Sequence, residues 1–220
     1  MKHFKSVFLL NTDDFLLYLS MLFFPFLALH LIMLTVMAIV KPENTVLICG
    51  MILAIITAVI GFTASYAHNS LSFSQYVTFG QTRKRALTLS ISLSIVQALC
   101  SAGLAIALAA LEQRFTLSLC RQFSGQMVSV EINIPVEWWV FVLAALGGVI
   151  FGLISSAVIQ RFGRAGAWVL YGLFMAVCFS PQYLPWKKYT IVDWLFPLLL
   201  LCAIAALLWS IHTLLHATIK

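Results

Sequence analysis

The residues with most to offer chemically are Phe79-Gly80-Gln81-Thr82-Arg83-Lys84-Arg85, in a short polar break between two long apolar stretches. Gly80 can end a short helix and Thr82 can cap the next. Arg83, Lys84 and Arg85 offer charge-assisted contacts to an acidic rim or to lipid phosphates. The preceding residues, Gln75 to Thr82, are of mixed polarity, too short and too wet to cross a bilayer, and read as a docking surface. Deeper in the apolar stretches lie His30 and Gln97. A polar side chain at that depth either belongs to a pathway or makes a helix-to-helix hydrogen bond, and the second reading carries more weight. Gly148 and Gly152 form a G-x-x-x-G that lets another helix approach closely. Gly50, Ala54, Ala58, Gly61 and Ala64 suit a close interface or a smooth wall.

Several chemistries are excluded by spacing. The chain has no G-x-x-x-x-G-K-[ST] phosphate cradle, so ATP would have to be hydrolysed by another chain. Gly152-Leu153-Ile154-Ser155 lacks the glycine spacing of a nucleophile elbow, and His-Glu-x-x-His does not occur, so no catalytic residue is assigned. His68, His212 and His216 have no acidic or thiol partner spaced with them, which argues against a metal site. No cofactor is expected on this chain. Cys49, Cys100, Cys178 and Cys202 fall inside apolar stretches and are expected to be buried thiols; Cys120 sits in a predicted loop.

Composition dictates the scaffold around these residues. Apolar residues make up 62% and charged residues 9%, and runs of a length to cross about 30 Å of hydrocarbon recur, which a water-soluble domain of 220 residues cannot accommodate. The formal charge of +6 is the ordinary result of crowding Lys and Arg into the loops of a membrane protein, and nucleic-acid binding is not expected. Apolar length predicts an all-α, polytopic membrane protein in one domain, with about six spans near 15–40, 45–68, 86–111, 138–160, 165–180 and 190–215. Helices are expected because open strands would leave backbone groups unpaired in lipid and the runs lack barrel alternation.

With the N-terminus inside, Lys2, Lys5, Arg83, Lys84, Arg85, Arg161, Arg164 and Lys220 face the cytoplasm, against Lys41, Arg114, Arg121, Lys187 and Lys188 outside. That excess of eight to five places both termini in the cytoplasm. The six tryptophans all fall near predicted span ends, as interfacial rings should. Residues 1–14 are expected to form an interfacial helix, and the apolar run behind them is too long for a removable signal peptide. The segment 73–85 is the inner docking segment, and 112–137 is an external loop with an alternating stretch, Met127 to Ile134, that suits a hairpin or strand.

A second inner segment, Arg161-Phe162-Gly163-Arg164-Ala165-Gly166, joins Phe79 to Arg85 in carrying a resemblance. With six spans and an interfacial start, the two motifs resemble those of the small six-helix permease subunits of bacterial type-2 ATP-binding cassette exporters, over nearly the whole chain. The resemblance implies a multi-pass protein of the bacterial cytoplasmic membrane. It also implies pairing with a second permease subunit, of the same or a related chain, and two cytoplasmic ATPase subunits that bind ATP and Mg. Phe79, Gly80, Thr82, Arg83, Lys84 and Arg85 would then sit in a groove of the ATPase, and Arg161, Phe162, Gly163, Arg164 and Gly166 would form the second inner loop. The expected cargo is hydrophobic or amphipathic: a peptide, lipid or drug. Two alternatives stand beside this reading, a substrate-binding subunit of a vitamin importer and a membrane anchor or immunity protein against a toxic peptide.

Overall fold

A computed structural model describes residues 12–40, 44–47, 49–78, 80–124, 129–133, 136–183 and 192–216. Of the expected interfacial helix 1–14, residues 1–11 lie outside this set and 12–14 belong to the first turn of the first long helix. In chain order the elements are helix α1 (Thr12–Val40), strand β1 (Asn44–Leu47), helix α2 (Cys49–Ala67), a π-helical turn (His68–Ser72), helix α3 (Phe73–Thr78), helix α4 (Arg83–Ser124), strand β2 (Ser129–Asn133), helix α5 (Trp138–Tyr183) and helix α6 (Val192–His216).

Among the described residues four helical stretches are long and apolar enough to cross a membrane: Asp13–Ile32, Cys49–Thr78, Arg83–Glu112 and Trp138–Met175. Leu201–His216 is a shorter apolar helix. The chain is therefore a multi-pass membrane protein by the length and composition of its helices. The fourth and fifth predicted spans fall within one element, α5, which turns at Gly163 with φ 58° and ψ −135°. Such a backbone is open to glycine and strained for any residue with a Cβ.

The predicted loop 112–137 is shorter than expected, because α4 continues to Ser124. Leu111, Arg114, Leu117 and Leu119 favour helix, and the first glycine or proline after Gly103 is Gly125, so nothing in the sequence stops the helix at Glu112. The expected strand is present but makes no hairpin. It pairs in parallel with β1, Asn44 opposite Ser129 and Leu47 opposite Asn133, with a register irregularity between Thr45 and Val46.

The chain divides into two compact units, one comprising Met1–Ala64 and Ser92–Val149, the other Ser65–Ile91 and Ile150–Lys220. In the first, Leu22, Leu53, Ile60, Ala98, Ala102, Ala105, Leu108, Phe141 and Ala145 form the core. Two glycines set its tightest helix crossing. A Cβ on Gly148 would overlap the Ala58 carbonyl oxygen and lie 2.9 Å from the Phe62 nitrogen; a Cβ on Gly61 would overlap the Ala145 carbonyl oxygen. Helices in lipid gain little from the hydrophobic effect against each other, so close backbone approach through small residues is how they gain contact. The partner that answers Gly148 is thus Gly61 on α2. Gly152 is also buried.

The core of the second unit is Phe73, Ala86, Leu87, Leu153, Ala157 and Leu214, flanked by Tyr76, Val77, Ile91, Leu207 and Trp209. Of the thiols expected to be buried, Cys49 is, whereas Cys100 and Cys202 are exposed on the protein surface. In a membrane an apolar run has an outward face toward hydrocarbon, so apolar surroundings in sequence do not require burial in protein.

Candidate functional site: the basic elbow

The first motif, Phe79 to Arg85, folds as an elbow between α3 and α4. On α3, Phe73 is buried and Tyr76 and Val77 are half-buried against the second core, while Gln75 and Thr78 are exposed. Positions i, i+3 and i+4 thus face in, leaving a polar outer face. The Gly80 N–H donates to the Val77 carbonyl at 3.0 Å and the Gln81 N–H to the Tyr76 carbonyl at 3.1 Å. With Gly80 at φ 82°, this is a Schellman closure, which satisfies carbonyls that the helix end leaves orphaned. Phe79 lies outside the described residues.

Helix α4 starts two residues later. The Ala86 N–H donates to the Thr82 carbonyl at 2.9 Å, which makes Thr82 the N-cap and puts Arg83, Lys84 and Arg85 in the first turn. Three cations there oppose the helix dipole, so local helix energetics do not account for them. Arg83 has a separate partner: its guanidinium donates to the carbonyl oxygen of Leu215 at 3.4 Å, in the last turn of α6, where a cation is favoured. Lys84 and Arg85 are exposed. The Gln81 side-chain oxygen is buried without a hydrogen-bond partner among the described residues.

The second motif, Arg161 to Gly166, folds as a helix corner in the same unit. Gly163 supplies the turn, and Gly166 allows closeness: a Cβ there would lie 2.8 Å from the Val158 carbonyl oxygen and 3.1 Å from the Phe162 Cβ. Phe162 stacks on Trp209 with centroids 6.4 Å apart, and the Arg161 guanidinium lies over both rings, 5.7 Å from Phe162 and 5.5 Å from Trp209. Arg164 is exposed. Both motifs therefore touch α6, Arg83 at Leu215 and Arg161 at Trp209, six residues apart.

His30 and Gln97 belong to the first unit. His30 Nδ1 lies 2.9 Å from the Phe26 carbonyl of its own helix, its ring packs tilted against Phe26 with centroids 4.1 Å apart, and its buried Nε2 has no hydrogen-bond partner among the described residues. Gln97 is buried on the same face of α4 as Ser94 and Ser101, at intervals of three and four. Eleven residues on, at the same helical phase, stands Glu112.

Sequence reasoning placed Glu112 in a loop. It is 6% exposed, and its two carboxylate oxygens accept from the N–H groups of Cys49 and Gly50, each at 3.2 Å. It caps the first turn of α2, where an anion meets the positive end of the helix dipole. His30 lies within electrostatic range of it. Its helical phase with Ser94, Gln97 and Ser101 is the signal that could have found it.

The π-helical turn was also missed. The Phe73 N–H bonds to the His68 carbonyl, one residue further than in an α-helix. The Asn69 carbonyl takes a hydrogen bond from Gln160 Nε2 at 2.8 Å, and the Asn69 amide donates to the Ser65 carbonyl at 2.8 Å. A width change of this kind has no residue-type signature.

Comparison of the chain with protein-family models, with curated proteins and with solved structures returns no match.

Proposed function

We propose that this chain is the permease subunit of an ATP-binding cassette exporter of the bacterial cytoplasmic membrane, with six spans and both termini in the cytoplasm. It would pair with a second permease subunit and move a hydrophobic or amphipathic cargo, with ATP and Mg bound by a separate ATPase. The observation that carries this reading is the elbow. A glycine-closed short helix with an exposed polar face leads into a capped helix start whose Lys84 and Arg85 point to no carboxylate of their own chain among the described residues.

The packing supports a mechanical role. Phe73 shares one core with Ala86 and Leu87 of α4, Leu153 and Ala157 of α5 and Leu214 of α6. A force applied to the outer face of α3 reaches three long helices through close-packed side chains, which shift between discrete packings and do not deform smoothly. An ATPase that binds two such packings with different affinity biases them, and a bias of a few kcal/mol suffices.

The test is co-purification from the native host. ATPase activity is expected to elute with the wild-type chain and to fall at least about tenfold in the Lys84→Gln/Arg85→Gln variant, which keeps the Arg83 contact to α6. Unchanged ATPase stoichiometry in that variant, or no ATPase with the wild type, would sink the proposal.

A further inference from the structure

The corner at Gly163 combines features that the elbow does not use. The Arg161 guanidinium lies over the rings of Phe162 and Trp209, which favours one placement of the cation before any ligand arrives. Arg164 stands on the far side of the turn. Neither has a carboxylate partner among the described residues, and segments 65–91 and 150–220 contain a single acid, Asp193. Membrane topology explains why cations gather on one side. It does not explain why Arg161 lies over two rings.

The residues beyond Arg164 along α5 separate the candidate partners. Trp168 and Tyr171 succeed it at four and seven positions, one face of a helix, and their rings meet edge to face at 6.1 Å. Trp168 is 73% exposed, and Val169, Leu173 and Phe174 beside it are exposed as well. The order along the helix is cation, then amphipathic ring, then hydrocarbon surface. That is the order of chemistry met by moving from a phospholipid headgroup into its chains. An acidic soluble protein would match the two arginines and leave the apolar strip unmatched.

We propose that the Gly163 corner is a binding site for an anionic phospholipid, with the phosphodiester held by Arg161 and Arg164 and an acyl chain lying along Trp168 and Tyr171. The inference rests on the membrane character of the chain and is independent of the exporter reading.

The experiment titrates the purified full chain in mild detergent with phosphatidylglycerol or phosphatidylcholine and counts retained lipid by native mass spectrometry. Phosphatidylglycerol is expected to be retained about tenfold or more over phosphatidylcholine, with the preference reduced to parity in Arg161→Gln/Arg164→Gln and unchanged in Arg114→Gln. Equal retention of the two lipids by the wild type, or an intact preference in the double variant, overturns the site. Displacement of phosphatidylglycerol by millimolar inorganic phosphate overturns the lipid assignment in favour of a free phosphate. Loss of a co-purifying ATPase in the double variant, without lipid preference in the wild type, reassigns the corner to a protein partner. Should the double variant not fold, tryptophan fluorescence of the wild-type chain decides. Phosphatidylglycerol brominated on its acyl chains should quench it more than brominated phosphatidylcholine, and Trp168→Phe should remove the difference; equal quenching by the two overturns the proposal.

Discussion

The Arg83 guanidinium donates to the Leu215 carbonyl oxygen at 3.4 Å, so the first residue of α4 closes the last turn of α6. One residue of the basic triplet is thus structural while its neighbours are exposed, and the three should not respond alike to substitution.

Arg83→Gln is expected to destabilise the chain by about 1 kcal/mol through loss of a charge-assisted contact at a helix C-terminus. Lys84→Gln and Arg85→Gln should be neutral or slightly stabilising, since they remove cations from a helix N-terminus. Thermal unfolding of the three single variants in one detergent checks the order.

Gly61→Ala and Gly148→Ala place a methyl group onto backbone carbonyl oxygens of the facing helix. The helices must part, at a cost of about 1–3 kcal/mol. A Cβ on Gly103 or Gly147 meets nothing within 4 Å, so Gly103→Ala and Gly147→Ala should be neutral or stabilising by about 0.5–1 kcal/mol. Melting temperatures that rank all four variants together would contradict the crossing.

Glu112→Ala leaves the Cys49 and Gly50 N–H groups buried without their acceptor. Each such loss costs about 1–3 kcal/mol. Glu112→Gln keeps one side-chain oxygen and should lose less. Hydrogen exchange at the start of α2 should rise in the order wild type, Gln, Ala.

Gly80→Ala forces a Cβ into a left-handed conformation that costs L-residues about 1–2 kcal/mol, whereas Gly80→Asn is tolerated better. No neighbouring atom lies within 4 Å of the added Cβ, so the effect is conformational and not steric. ATPase co-purification should weaken in Gly80→Ala and recover largely in Gly80→Asn.

Much of the elbow was legible because its signals are local. Gly80 as a helix stop and Thr82 as the next cap depend on backbone conformation and orphaned end groups, which are set by neighbours in sequence. Bilayer thickness likewise makes long apolar helices recognisable as spans. The end of α4 was misjudged because Glu112 reads as a polar boundary, although its charge is met by the first N–H groups of a helix more than sixty residues earlier. No local pattern contains that partner.

Hydrocarbon thickness and backbone hydrogen bonding impose one-dimensional rules, so the order of residues was enough to establish an apolar, helical membrane protein and to mark the break at Gly80. Which glycine answers Gly148, that Glu112 caps α2, that Arg83 closes α6 and that Arg161 lies on Trp209 emerged only in the packed fold. Each of these depends on which faces of distant helices meet, and small residues, buried caps and stacked rings acquire their roles only when those faces are in contact.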